Sequence, residues 1–148
     1  MNAPSARHVK MDWPFYWISR VNARYVQALE RRLKPIGLDV PRWRVLISLW
    51  EEQYLSISEI AELSTMRLNT TTKVVQRMIT DELVTTRVRP TDGRVTEACL
   101  TEKGDRLRAL ALIEAQSILK DAFGEITAEE RVQLNSILGR VFVRLDRM

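Results

Sequence analysis

Leu83 to Gly104 reads LVTTRVRPTDGRVTEACLTEKG, and its pattern decides the fold. Val84, Thr86 and Val88 alternate with Thr85, Arg87 and Arg89, which is the period of a strand. A second alternating run spans Val95 to Leu100. Between them Asp92-Gly93, inside a Pro-Thr-Asp-Gly turn, is the hairpin signal. Just upstream lies a helical pattern rich in Thr, Asn and Lys. A helix able to enter a groove, followed by an arginine-rich hairpin able to lie beside it, reads as a winged helix-turn-helix. DNA is therefore the first partner to consider.

On either side of this stretch, apolar periodicity predicts helices. Residues 1 to about 11 carry Asn2, Pro4, Ser5, Arg7 and Lys10 with little apolar content, the composition of a loose arm. A helix is expected from Trp13, capped by Asp12 with Pro14 in its first turn. Its stripe is Phe15, Ile18, Tyr25, Val26, Leu29 and Leu33, and it stops near Pro35-Ile36-Gly37. Ser19 and Asn22 interrupt that stripe and need partners if buried. A second helix begins after Pro41, with Trp43, Leu46, Ile47 and Trp50 inward. Ser56 to Glu59 is a capping box opening a short helix through Leu63. The next helix, from about Asn69 to Asp81, buries Val74, Val75, Met78 and Ile79.

After the hairpin, Thr101 caps a long helix carrying Leu107, Leu110, Ala111, Ile113 and Ile118. Thr127 to Glu130 is a second capping box, opening a last helix with Leu134, Ile137, Leu138, Val141, Phe142 and Leu145. A short turn around Gly124 joins the two. Their apolar residues exceed what one lobe can bury, so a shared interface is expected. The fold class is mainly α with a small β-wing, in one domain over 1–148. Residues 41–101 form the winged helix-turn-helix lobe; 1–34 and 102–148 form a helical dimerisation lobe.

Composition narrows the function. The 148 residues are 45% apolar with five glycines and five prolines, which fits an ordered, mostly helical chain. A net charge of +4 favours a polyanionic partner. No stretch approaches the roughly 18 apolar residues of a membrane span, and no signal core is evident. The lone Cys99 excludes an intramolecular disulfide and fits a reducing compartment, so a cytoplasmic location is expected. His8 is the only histidine, so neither a His-based triad nor a His metal cluster can form within one chain. Glu51-Glu52 and Glu129-Glu130 read as exposed helix faces and helix-start acids. No enzyme activity, metal or cofactor is expected.

Asp92-Gly93-Arg94, the five residues Val95 to Cys99, then Leu100-Thr101-Glu102-Lys103-Gly104 match D-x-R-x5-L-T-x-x-G. This strongly resembles the wing signature of the MarR family of bacterial transcription regulators. Upstream, SEIAELS (58–64) and NTTTKVVQRMITDELV (69–84) resemble that family's helix-turn-helix in order and spacing. Two departures stand out. Glu82 occupies the end of the recognition helix, where the family often has Gly. Arg67-Leu68 replaces a more usual polar pair at the helix entrance, so base preference is not carried over. The resemblance implies a homodimer on a palindromic site, often released by a small molecule, commonly a phenolic or aromatic carboxylic acid held between the two lobes.

On the recognition helix, Thr70, Thr72, Lys73, Gln76 and Arg77 project opposite Val74, Val75 and Met78, with Arg67 and Asn69 at its start. Thr methyls suit thymine, Gln suits adenine, and Lys or Arg suit guanine or phosphate. On the wing, Arg94 is the candidate for a narrow minor groove; in wings of this family the aspartate, here Asp92, orients it. Arg87 and Arg89 are expected to neutralise phosphates.

For a ligand, Trp13, Phe15, Tyr16 and Trp17 crowd the first helix start. The candidate cradle is Trp17, Ser19, Arg20, Asn22, Trp43 and Arg44, because stacked rings with one guanidinium suit a planar acid. The same aromatics read equally as core or dimer interface. The expectation is a repressor of an aromatic-compound catabolic operon, relieved by an aromatic carboxylic acid or its coenzyme A thioester. Indole-, phenyl- and hydroxycinnamate-type acids all fit, and activation is open because sign depends on operator position. The alternatives are a ligand-independent winged-helix DNA-binding or interaction protein, and a redox sensor. Peroxide-sensing members carry a reactive cysteine near the start of the first helix. This chain has none there, and Cys99 reads as packing.

Overall fold

Side-chain caps start four of the helices in a computed structural model that describes residues 9–148. His8 and most of the expected arm lie outside the described residues. The arm was expected to reach about residue 11, but Val9–Asp12 forms a helical turn, α1. That turn keeps Asp12 helical, so Asp12 does not cap the next helix. Trp13 takes the extended cap position, without a side-chain cap bond, ahead of α2, Pro14–Leu33. The Trp17 indole N–H donates to the Met11 carbonyl at 2.8 Å and ties α1 to α2.

A 3-10 turn, Lys34–Ile36, ends at Gly37, whose φ of 74° suits glycine. Helix α3, Val40–Glu51, starts one residue before Pro41 because Asp39 caps it, accepting from the Arg42 N–H at 3.0 Å. Trp43 and Leu46 are buried as expected, with Val45 and Leu49 beside them. Trp50 is not: it is 47% exposed, and the Arg108 guanidinium lies over its ring at 4.4 Å.

Strand β1, Leu55–Ser56, leads into α4, Ile57–Ser64, through the expected capping box. Helix α5 covers Leu68–Thr80. Its buried stripe is Thr71, Val75 and Met78, at i, i+4 and i+7. Val74 is only half-buried and Ile79 is 41% exposed, each one step off that arc. Strands β2, Val84–Arg89, and β3, Asp92–Leu100, complete an antiparallel sheet of order β1-β3-β2. Ser56 and Arg87 flank Glu97 on opposite sides.

The hairpin tip differs from expectation. Asp92-Gly93 already belongs to β3, and the turn is Pro90-Thr91. Proline presets the turn φ and lacks an N–H, while Gly93 does not use a left-handed φ. The register slips between Val88, opposite Thr96, and Arg89, opposite Asp92.

Below the wing, β3 turns directly into α6, Glu102–Ala122. Thr101 starts it: the Thr101 hydroxyl accepts from the Gly104 N–H at 3.0 Å and donates to the Glu82 carbonyl at 2.6 Å. The Thr101 N–H donates to the Leu83 carbonyl at 3.1 Å, and Lys103 Nζ to the Asp81 carbonyl at 2.9 Å. This joint clamps the end of α5 to the start of α6.

Glu82 there adopts a left-handed φ of 62°, and the Leu83 N–H closes back on the Met78 carbonyl at 2.9 Å. The cap geometry is the one glycine favours. Left-handed backbone costs an L residue about 1–2 kcal/mol, and glycine's extra unfolded-state freedom returns about 0.5–1 kcal/mol of that. Glu82→Gly is therefore expected to stabilise the protein by roughly 0.5–1 kcal/mol, raising the melting temperature by a few degrees in a thermal scan. An unchanged or lower melting temperature would mean that the Glu82 side chain makes a compensating interaction.

The chain divides into two compact units, one ending at Ala115 and one spanning Gln116–Met148. In the first, Leu29, Leu33, Val45, Leu46, Ile60, Val75, Met78 and Thr71 are fully buried. The expected α2 stripe is buried only at Leu29 and Leu33; Trp13, Phe15, Trp17, Ile18, Val21 and Tyr25 are 40–61% exposed. In the second unit, α7, Ala128–Asp146, opens with the expected capping box at Thr127 and Glu130. It contains no buried residue, and Leu134, Ile137, Leu138, Phe142 and Leu145 are 38–63% exposed. Among the described residues no helix is long and apolar enough to cross a membrane.

Candidate nucleic-acid interface and neighbouring cleft

Helix α5 shows water a polar face because Thr71, Val75 and Met78 hold its other side. Asn69, Thr70, Lys73, Gln76 and Arg77 are exposed, and Arg67 is exposed at the N-cap without a side-chain cap bond. Asn69 Oδ1 accepts from the Thr70 N–H at 2.9 Å, which tidies the first turn. Thr72 is half-buried and its hydroxyl donates to the Leu68 carbonyl at 3.0 Å. What it offers outward is a methyl and a lone pair. The face carries hydrogen-bonding side chains and two cations within three turns, which is what base edges and phosphates require.

At the wing tip Arg94 is held by one carboxylate. Arg94 Nε donates to Asp92 Oδ1 at 3.1 Å, Nη2 to Oδ2 at 3.2 Å, and the backbone N–H to Oδ1 at 3.1 Å. The Arg94 side chain is 91% exposed all the same. The Arg94 guanidinium, together with its backbone N–H, holds the Asp92 pKa below the usual aspartate value. A depressed carboxylate pKa keeps the fork intact above the ordinary range, and it is lost only as pH falls through that lowered value. The tip thus presents an aimed cation rather than a loose one.

Arg87 and Arg89 sit differently. Both donate to Glu97, which is 5% exposed: Arg87 Nε to Oε1 at 3.2 Å and Arg89 Nε to Oε2 at 2.8 Å. Arg89 Nη2 also donates to Glu59 of α4, and Arg87 Cζ lies 3.3 Å from the Tyr54 ring centroid. Donating to Glu97 and then to Glu59 raises the Arg89 pKa, and the ion pairs with Glu97 commit both arginines of β2 within the fold. Glu97 and Glu59 did not figure among the sequence-read site residues. The signal was available in the acidic position of β3 facing two arginines spaced i, i+2 on β2.

Of the six residues read as a ligand cradle, the structure brings two together. Asn22 and Arg44 line a cleft of about 460 Å³ with Ile47, Ser48, Leu63, Ser64 and Thr65. Trp17, Ser19 and Arg20 lie elsewhere, at the exposed start of α2, where Trp17 meets Tyr16 edge-on and Arg20 lies 5.4 Å over the Tyr16 ring. Trp43 is 6% exposed and belongs to the core. The cleft has a built polar wall. Ser48 Oγ donates to the Arg44 carbonyl at 2.8 Å and lies 3.3 Å from Ser64 Oγ, both serines being buried. Arg44 is half-buried, and among the described residues no carboxylate pairs with its guanidinium. Leu63 to Thr65 close α4, with Thr65 left-handed at φ 53° just before α5 begins. A half-buried unpaired guanidinium beside hydroxyls and an amide can take up a carboxylate.

The sequence profile of the MarR family matches residues 38–96. The chain is 43% identical over 143 residues to the HTH-type transcriptional repressor IacR of Pseudomonas putida, a match covering 94% of this chain and 83% of that protein. Its fold is similar to that of a cysteine-to-serine MarR variant from E. coli complexed with operator DNA, with a TM-score of 0.77, 20% identity, and coverage of 93% of this chain and 99% of that one. It is also similar to Bordetella bronchiseptica BpsR, from a structure on regulation of DNA binding by 6-hydroxynicotinic acid; the TM-score is 0.74, identity 21%, and coverage 85% and 96%.

Proposed function

The chain belongs to the MarR family, and we propose that it is a homodimeric repressor reading a palindromic operator and released by a small aromatic carboxylic acid or its coenzyme A thioester. The observation that carries the DNA half is the exposed polar face of α5 beside the braced Arg94. In this reading α5 lies in the major groove, with Thr70, Thr72, Lys73, Gln76 and Arg77 over base edges and phosphates and Arg67 and Asn69 at its entrance. Arg94 enters the minor groove, aimed by Asp92. Arg87 and Arg89 act chiefly through the wing's posture, with phosphate contact left to their outer edges. IacR, a relative named as a repressor, supports the sign of regulation.

A second copy of the chain is the natural cover for the apolar residues left wet on α7 and at the start of α2. So many large exposed side chains on two helices exceed what a monomer normally shows water. The regulated genes in this reading form an aromatic-compound catabolic operon.

The ligand half rests on Arg44. Its unpaired guanidinium, with Asn22, Ser48 and Ser64 around it, suits the carboxylate of a planar acid, and Ile47 and Leu63 suit the ring. A cleft of about 460 Å³ admits one or two fused rings, and a thioester tail would extend into solvent. That BpsR is regulated by 6-hydroxynicotinic acid supports the aromatic-acid class. Because Leu63 to Thr65 form the exit of α4 toward α5, an occupant there presses on the turn that sets the recognition helix.

The test is a mobility shift on DNA flanking the protein's own gene, with and without a panel of aromatic carboxylates. Specific binding released by one acid is the expected result; specific binding indifferent to every acid would leave a ligand-independent regulator. Arg44→Gln is expected to weaken the acid's effect roughly 10- to 100-fold, the worth of a charge-assisted pair, while operator binding stays within a few-fold. Release of the variant at an unchanged acid concentration would exclude this cleft.

A further inference from the structure

Beyond Val88 the hairpin has no core of its own: Val88 is 60% exposed and the Arg94 side chain 91%. A two-stranded ribbon of this kind does not hold a fixed direction in water by itself. Its direction is set at its root. Arg87 and Arg89 converge on the buried Glu97, which forks its two oxygens between them. Arg89 then crosses to Glu59 Oε1 on α4. That same oxygen accepts the Ser56 N–H at 2.9 Å, while the Glu59 N–H donates to Ser56 Oγ at 3.2 Å. One carboxylate therefore caps the first helix of the helix-turn-helix and grips the wing.

We propose that Glu59 is a positioning residue for DNA recognition: through Arg89 it fixes the angle of the wing to α4 and α5, and so the place where Arg94 meets the groove. The inference rests on the DNA-binding reading above. It makes a prediction opposite to simple electrostatics. Glu59 is half exposed on a surface that faces phosphates in this reading, so removing its charge should tighten binding if only net charge mattered. If Glu59 positions the wing, removing its charge loosens binding, because the ribbon must then be ordered at the moment of contact.

Glu59→Gln separates the two roles, since glutamine also completes a capping box but replaces the ion pair with Arg89 by a weaker bond to a neutral acceptor. The probe is a labelled duplex selected from a random-sequence pool by the unaltered protein. The expected result is a roughly 3- to 30-fold loss of affinity with a nearly unchanged melting temperature. Arg94→Ala should then cost less on the Glu59→Gln background than on its own, by about that factor, because a wing that wanders has already lost much of what Arg94 contributes. Unchanged or tighter binding, or losses that simply multiply, would overturn the proposal.

Should Glu59→Gln melt early, Arg89→Lys gives the same reading with the capping box untouched. Lysine keeps the charge but lacks the planar fork whose Nε meets Glu97 and whose Nη2 meets Glu59, and its coupling to Arg94 is expected to match; independence from Arg94 would overturn the proposal. Failure of the unaltered protein to select any duplex would remove the DNA reading and this inference together. Multiplying losses on a selected duplex remove the inference alone.

Discussion

Gly104→Ala is expected to destabilise the protein by about 3–5 kcal/mol, close to unfolding a protein of ordinary marginal stability. A Cβ at this position would stand 2.0 Å from the Leu83 carbonyl oxygen and 3.0 Å from its carbon. Both are backbone atoms, so no rotamer change relieves the clash. The oxygen is also the acceptor for the Thr101 N–H, and moving it away breaks that bond in a place where Gly104 itself is buried. The start of α6 must therefore lift off the end of α5. A thermal or urea melt against Gly93→Ala is the informative comparison, since nothing lies within 4 Å of a Cβ at Gly93 and its φ is not left-handed. Gly93→Ala is expected to change stability by less than about 0.5 kcal/mol. Equal melting of the two variants would refute the account of the joint.

Arg94→Ala is expected to give the largest loss of DNA binding among single wing substitutions. A charge-assisted contact is worth roughly 1.5–3 kcal/mol, and in the proposed dimer two wings lose it at once. The expected cost is roughly 3–6 kcal/mol, or about a hundred- to twenty-thousand-fold in affinity for a selected duplex. Asp92→Asn keeps the cation but loosens the fork, so it should cost much less. Fold stability should barely respond to Arg94→Ala, because the side chain is 91% exposed and its ion pair is with the neighbouring Asp92 on the same wing tip. Affinity within threefold of the unaltered protein would show that the wing tip does not meet DNA.

Much of this architecture was legible in the chain. The boxes at Ser56 and Glu59, and at Thr127 and Glu130, started helices where they were read, because capping is a local bargain between neighbours. Thr101 opened α6 for the same reason. The tip of the hairpin misled because Asp-Gly is a turn signal only when glycine takes the left-handed position, and Pro90 took the corner first. Strand β1 was invisible: two residues have no period, and they pair only because β3 offers a free edge. Trp50 looked like core by spacing, yet an arginine 58 positions later on α6 covers its ring. Distance along the chain hid the cleft in the same way. Asn22 and Arg44 stood out as polar groups among apolar ones, whereas Ser48 and Ser64 met only once α3 and α4 crossed. Glu59 was read correctly as a cap, and its second duty could not be read, because Arg89 arrives from 30 residues away.

The joint between α5 and α6 also bears on how such a protein changes over generations. The contacts from Thr101 and Lys103 end on the carbonyls of Asp81, Glu82 and Leu83, groups that every amino acid carries. The joint is therefore indifferent to what stands on the outer face of α5. Thr70, Lys73, Gln76 and Arg77 can be rewritten without disturbing the clamp that keeps the helix in place, and in the proposed DNA-binding reading such changes would re-address the protein to another stretch of genome. Scaffold and address are inherited separately, and a duplicated copy can drift to new targets while still folding as its parent did.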